Sequence, residues 1–146
     1  MTIEARSPRA ATRADLLACA EIVAAWEAGN DWMTPGPDAG TLAGYLDAAF
    51  DAREIWVIGD PVVGYASVDP ATGKLGAIYC AQTGQGLGLR LMDRAKEGRD
   101  MLWLTTHAPN TGAQGFYRRE GFTQTATLPG EPPHDDIPLY RMEWRR

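Results

Sequence analysis

Three glycines on alternate positions stand where a helix has to begin. They are Gly84, Gly86 and Gly88 in the segment AQTGQGLGLRLMDRAK, whose later part has the apolar spacing of an amphipathic helix. Glycine lowers the stability of a helical first turn, so these positions serve something other than helix formation. The first amides of a helix have no partner inside it, and the helix dipole adds partial positive charge there. The sequence therefore predicts an anion-binding turn, and a pyrophosphate is the ligand we expect.

Two well-known phosphate motifs do not fit this segment. The P-loop ends in Lys followed by Ser or Thr, a pair that does not occur in the chain. The dinucleotide fingerprint needs a third glycine where this chain has Leu89. That fingerprint also belongs to the first strand–helix unit of its fold, whereas this turn lies past the middle of the chain. An acyl-CoA turn is the remaining motif.

The segment TGQGLG, residues 83–88, resembles the Q/R-x-x-G-x-G/A signature of the GNAT superfamily of acyl-CoA-dependent N-acyltransferases. Downstream, NTGAQGFYRREGF, residues 110–122, is similar to the family pattern N-x-x-A-x-x-F-Y-x-x-x-G-F. The two motifs, with the helix and strand between them, cover residues 75–122. The closing DDIPLYRMEW resembles the last strand of small bacterial members. Thr83 stands where the family has Gln or Arg, which predicts a weaker hold on the phosphates.

Apolar spacing predicts two N-terminal helices. The first covers residues 12–28, and Pro35 and Pro37 break the helical pattern after it. The second begins at Asp38, a favourable cap. Its predicted apolar face consists of Leu42, Tyr45, Leu46, Ala49 and Phe50.

The rest of the chain alternates strands and helices. EIWVI and VVGYASV flank GDP as a hairpin, and LGAIYC follows as a third strand. The glycine turn with its helix, strand MLWLTT, a short helix ended by Gly121 and strand PLYRMEW complete the order. We predict one domain over residues 1–146 of the mixed α/β (α+β) class, with a mostly antiparallel central sheet flanked by about four helices. The resemblance adds a splayed parallel strand pair at the CoA site.

The resemblance implies acetyl-CoA as cosubstrate. Tyr79 and Cys80 end the strand that enters the turn, where the family bonds the pantetheine through backbone groups. One such N–H would stabilise the oxyanion of the tetrahedral intermediate. Asn110 is a favourable helix cap, and the family also places it near the pantetheine or the phosphates. The pyrophosphate is held in the family by the amides of the turn, here Thr83, Gly84, Gln85, Gly86, Leu87 and Gly88.

The resemblance also implies a catalytic role for Tyr117. In the family, the tyrosine of the FY pair protonates the departing thiolate, which suits a phenol pKa of about 10 against about 8.5 for a thiol. Phe116 is expected in the core. Cys80 has no paired histidine, so we expect no covalent cysteine intermediate. The amine then attacks the thioester directly.

Five residues are candidates for the acceptor side. Trp32 lies between the two N-terminal helices, a segment that often lines the acceptor pocket in the family, and it could equally fill the core. His107 ends the strand after the CoA helix, and His134, Asp135 and Asp136 precede the last strand. His107 or the loop group could deprotonate an ammonium, although a lone histidine is usually structural and loop charges are usually solvated. The acceptor itself is predicted as a small-molecule or peptide amine.

Composition excludes several classes of partner. The net charge is −5 and the basic residues are dispersed, which argues against nucleic acid. No apolar run reaches the roughly 20 residues of a membrane span. Cys19 and Cys80 are far apart without metal-ligand spacing, so no metal is expected. These features predict a cytoplasmic protein, and exposed edge strands are compatible with a homodimer.

Two other functions stay open from the sequence. One is a non-catalytic acyl-CoA sensor, for which Thr83 is the hint. The other is a nucleotide- or phosphate-binding protein unrelated to CoA, which leaves the segment FYRREGF unexplained.

Overall fold

Within the part of the chain that the structure describes, seven strands form one mixed sheet. The computed structural model describes residues 7–34 and 36–146. Its strands are β1 (Arg9–Ala10), β2 (Glu54–Ile58), β3 (Gly64–Asp69), β4 (Lys74–Cys80), β5 (Met101–His107), β6 (Thr123–Leu128) and β7 (Leu139–Arg145). Its helices are α1 (Leu16–Ala28), α2 (Ala39–Ala49), α3 (Leu87–Lys96) and α4 (Thr111–Arg119), with short 3-10 turns at Arg13–Asp15 and Phe50–Ala52.

The strand order across the sheet is β1-β2-β3-β4-β5-β7-β6. Neighbouring strands are antiparallel except β4 and β5, which are parallel. Short turns link β2, β3 and β4 as antiparallel neighbours, whereas the parallel pair β4 and β5 is connected through α3. The predicted mixed, mostly antiparallel sheet with four helices is confirmed.

Each face of the sheet carries its own apolar cluster, because successive strand residues point to opposite faces. On one face, Leu87 and Leu91 of α3 pack with Leu102 and Met142, and Phe116 and Tyr117 of α4 join them. On the other face, α1 and α2 cover a second cluster, whose buried members are Leu16, Cys19, Ile55, Val57 and Tyr65. Helices α3 and α4 therefore lie opposite α1 and α2.

Helix α2 differs from the sequence prediction at one position. Asp38 caps the helix as expected, its side chain accepting a hydrogen bond from the Thr41 N–H at 2.8 Å. Tyr45, however, is 61% exposed, whereas Leu42 and Leu46 are half-buried. The reason is a slot left open between α2 and the sheet, which Tyr45 borders. Pro35, one of the two predicted helix breakers, lies outside the described residues.

Strand β6 is absent from the sequence prediction. Among the described strands it pairs with β7 alone, at one edge of the sheet, and its residues TQTATL are mostly exposed. A strand with no buried face has no apolar alternation to reveal it, although its threonines favour extended structure. Within residues 7–34 and 36–146, no helix combines the length and apolar character needed to cross a bilayer.

Candidate active site

The parallel strands β4 and β5 separate soon after they meet. Their one registered pair is Lys74 with Trp103, where the Trp103 N–H donates to the Gly73 carbonyl at 3.1 Å. On its other edge β4 pairs with β3, where Ser67 faces Ala77 and Val68 faces Leu75. Gly76 is therefore an extra residue in β4. A bulge of this kind bends the strand that carries it. The splayed pair implied by the resemblance is thus present.

A cleft of about 260 Å³ occupies the space between the separated strands. Its walls are the second halves of β4 and β5, so the β4 backbone groups beyond Lys74 have no β5 partner. Trp26 of α1 and Tyr117 of α4 both line it. These two helices lie on opposite faces, so the cleft passes through the sheet.

The glycine turn has the geometry that its sequence predicts. Gly84 and Gly86 adopt left-handed φ values of +78° and +74°, and Gly86 caps α3. A Cβ atom built at either one meets no atom within 4 Å, so the turn is open to a ligand. Outside α3, no hydrogen bond in the described chain uses an N–H of residues 82–89. Several amides are therefore free for an anion at the positive end of a helix.

A second cavity, of about 400 Å³, runs along this turn. It shares five lining residues with the cleft, namely Ile78, Cys80, Thr83, Ala113 and Tyr117. The turn and the cleft therefore form one continuous channel. Phe116 lines the turn as well as packing in the core, and a Cβ at Gly88 would lie 3.4 Å from its ring.

Tyr117 sits where the two cavities meet. Its hydroxyl makes no hydrogen bond within the described residues, and burial, then the nearby Tyr79, raises its pKa well above the usual range. The phenol is therefore neutral and able to donate a proton. The helix that carries it is fixed by Gln114, whose side-chain amide donates to the carbonyls of His107 (3.3 Å) and Ala108 (2.9 Å). Sequence reasoning missed Gln114, which is 5% exposed.

Cys80 and Tyr79 end β4 on opposite faces. Cys80 packs with the α3 cluster, and burial raises the pKa of its thiol to about 11. A protonated thiol is a poor nucleophile, which supports the expectation of no covalent cysteine intermediate. Tyr79 packs on the α1 side against Tyr65 and Trp26. Burial, followed by the charge of Glu27, raises its pKa to about 12.

Five rings form an aromatic cluster at the α1 end of the cleft: Trp26, Trp32, Tyr79, His107 and His134. Trp26 lies 5.8 Å from Trp32 and 5.4 Å from Tyr79, and His107 lies 5.5 Å from Trp32 and 5.9 Å from His134, between ring centroids. Burial, then the charge of His134, lowers the pKa of His107. His107 is therefore a neutral imidazole at pH 7. Trp26 also lines the cleft, and nothing in the sequence singled it out as a site residue.

The loop that carries Trp32 is tied to α1. The Gly36 N–H donates to Glu27 Oε2 at 2.8 Å. A Cβ atom at Gly36 would lie 2.5 Å from that oxygen, so a side chain here would displace the Glu27 carboxylate and break the contact. The contact holds Trp32 beside His107.

Several other predicted residues have definite places. Asn110 lines the cleft and caps α4, its side chain accepting from the Ala113 N–H at 3.2 Å. Leu87 is a buried core side chain, so only its backbone belongs to the turn. Other side chains are exposed and line neither cavity: Gln85, Asp135 and Asp136. His134 reaches the aromatic cluster, and its Nδ1 is buried without a hydrogen-bond partner in the described part of the chain. The described residues hold no group of three or more His, Cys, Asp or Glu side chains suited to a metal.

Comparison with known proteins was made by family and by structure. A family model described as the acetyltransferase (GNAT) domain matches residues 51–124. Ribosomal-protein-alanine N-acetyltransferase from Brucella melitensis is 25% identical, with a TM-score of 0.71 over 95% of this chain and 99% of that one. Apo YjaB from Escherichia coli is 19% identical, with a TM-score of 0.75 over 94% and 96% of the two chains, a likeness of fold alone. A search of curated proteins gave no match.

Proposed function

Since the chain belongs to the GNAT acetyltransferase family, we propose that it transfers the acetyl group of acetyl-CoA to a primary amine. The observation that carries this proposal is the cleft through the sheet, with the glycine turn at one end and the aromatic cluster at the other. The relative from Brucella melitensis is itself an N-acetyltransferase, which supports the same chemistry.

Acetyl-CoA fits the continuous channel on the α3 side. Its pyrophosphate would lie on the free amides of Gly84 and Gly86, at the start of α3. Its pantetheine would enter the gap between β4 and β5, where the β4 backbone lacks a partner strand. The thioester then lies near Tyr117, at the junction of the two cavities. Thr83 stands where the family has Gln or Arg, and its polar side chain lines both cavities.

The reaction on this proposal is direct aminolysis. The acceptor nitrogen attacks the thioester carbonyl, the C–N bond forms and the C–S bond breaks. A free β4 N–H between Ala77 and Cys80 stabilises the oxyanion. Tyr117 gives its proton to the leaving sulfur and regains one from solvent. Holding both reactants in one narrow cleft supplies much of the rate enhancement.

We assign the base to His107. It lines the cleft, its imidazole is neutral at pH 7, and the attacking nitrogen becomes acidic as the C–N bond forms. His134 is the alternative, since it contacts His107 edge-on. Asp135 and Asp136 are exposed outside both cavities, which disfavours them.

Replacing His107 by Gln is expected to lower kcat at pH 7 by roughly ten-fold or more, in keeping with loss of a general base. Because the pKa of His107 is lowered, wild-type activity persists as pH falls below 6.5, the ordinary histidine value, and is lost only as pH falls through the lowered pKa. The deficit shrinks at high pH because free amine becomes abundant. Measuring kcat against pH for both proteins checks this. A larger loss in His134→Gln than in His107→Gln would assign the base to His134 instead.

A thermal-shift titration with acetyl-CoA, CoA and ATP tests the ligand. Either CoA species at 100 times its dissociation constant is expected to add about 2.7 kcal/mol of stability, and ATP little. Equal stabilisation by ATP would favour the nucleotide-binding alternative. Stabilisation by acetyl-CoA without thiol release from any amine would favour the sensor.

A further inference from the structure

A third cavity, of about 340 Å³, lies on the acceptor side of the sheet. It is the slot between α2 and the sheet, and we call it the acceptor slot. We propose that it selects acceptors whose amine is joined through an apolar chain to a carboxylate. This inference rests on the proposed acetyl transfer and names the substrate class for it.

The acceptor slot opens into the reaction cleft. Gly76, Ala77 and Tyr79 line both spaces. Tyr79 also belongs to the aromatic cluster that surrounds His107. A molecule lying in the slot can therefore place one end beside the acetyl group, and the amine has to be at that end.

Most of the slot wall is apolar, although Ser67 and three tyrosines also line it. Its walls come from α1 and α2 and from the floor of the sheet, including Ala20, Val23, Leu42, Leu46, Ala49 and Ile55. Apolar walls of this kind bind a hydrocarbon chain by removing it from water.

The two spaces run side by side along β4, and the Gly76 end of the slot, away from Tyr79, is positively charged. Arg53 lies over the β4 bulge, its Nη1 3.7 Å from a Cβ built at Gly76. Its ion pair with Asp69 is long, at 4.0 Å. Lys74 lines the same end with its Nζ over the Trp103 ring, and it has no ion pair in the described part of the chain. Two cations face one carboxylate, so this end has spare charge for an anionic group, and Arg in particular binds carboxylates through paired donors.

The length of the slot limits the acceptor. Gly76 and Tyr79 are three residues apart on β4, which is about 10 Å of strand. The extended chain of ε-aminocaproate, with bonds of about 1.5 Å, spans on the order of 8 Å between amine and carboxylate. An α-amino acid is too short to reach both ends. The carboxylate at the end of a longer apolar amine can reach Arg53 while the nitrogen lies in the cleft.

Three acceptors that each contain a linear chain of six carbons test this proposal: ε-aminocaproate, n-hexylamine and hexamethylenediamine. They end in a carboxylate, a methyl group and a second ammonium. With saturating acetyl-CoA, we expect kcat/KM from thiol release to be about ten-fold higher for ε-aminocaproate than for the other two, the scale of one charge-assisted contact. Arg53→Gln is expected to remove the preference while n-hexylamine turnover stays within about two-fold.

Arg145→Gln is the matched control, because it deletes an exposed positive charge on β7 outside the slot. It is expected to keep the preference for ε-aminocaproate. Calorimetric titration of the same three compounds into the CoA complex measures slot binding without turnover. Equal kcat/KM for all three, or preference for the diamine, would contradict the proposed selection of a carboxylate by the slot. The proposed acetyl transfer would be unaffected. If no amine gives thiol release, the proposed function is wrong. The calorimetric titration then still shows whether the slot prefers a compound that ends in a carboxylate.

Discussion

Tyr117→Phe is expected to lower kcat on the order of a hundred-fold, the lower end of what a general acid contributes. The affinity for acetyl-CoA should change little, because the ring keeps its packing against Phe116 and Phe122. The hydroxyl has no hydrogen-bond partner within the described residues, so its loss leaves no group unpaired. Steady-state kinetics with a fixed amine, together with a binding titration of acetyl-CoA, separate the two effects.

Tyr140→Phe is the control for this prediction. Tyr140 is a partly buried tyrosine of β7 that lines neither the cleft nor the turn cavity. Removing its hydroxyl should leave kcat unchanged, which rules out a general effect of losing a phenol. If Tyr117→Phe keeps wild-type kcat at the pH optimum, Tyr117 is not the acid and the thiolate leaves unprotonated.

Gly86→Ala is expected to weaken acetyl-CoA binding by about ten-fold to a hundred-fold, a loss of roughly 1.4 to 2.8 kcal/mol. Its φ is +74°, a left-handed conformation that costs an alanine about 1–2 kcal/mol. The new methyl group also points into the open space where the phosphates would approach the α3 amides. Calorimetric titration with acetyl-CoA measures the change in affinity.

Gly98→Ala is the control that reproduces the backbone strain of Gly86→Ala at a position outside the glycine turn. Gly98 follows the end of α3 with a φ of +73°, and a Cβ there also meets no atom within 4 Å. Both variants should lose similar stability, and only Gly86→Ala should lose affinity. Equal affinity in the two variants would mean that the turn does not hold the phosphates.

Much of the fold could be predicted because its signals are local. The hairpin of β2 and β3, the amphipathic α3 and the capped α4 follow from apolar spacing and cap residues within a few positions. The splay of β4 from β5 has no such signal, since it depends on a bulge at Gly76 that forms only against β3. It came from the resemblance alone. Strand β6 was missed because it buries no face.

The candidate site likewise contains residues that a sequence motif identifies and residues that only the fold brings into place. Motif residues such as Thr83, Asn110 and Tyr117 do meet at one channel. His107 also reaches it, because the end of β5 forms its wall. The roles inferred for Arg53 and Lys74 depend on which sheet face α2 covers, and no spacing in the sequence carries that information.

The passage of the cleft through the sheet has a further consequence for substrate binding and product release. On the proposed function, acetyl-CoA and the acceptor enter the cleft from opposite faces of the β-sheet. Neither molecule has to leave before the other arrives, and spent CoA can depart without crossing the path of the acetylated product. The architecture therefore permits either substrate to bind first.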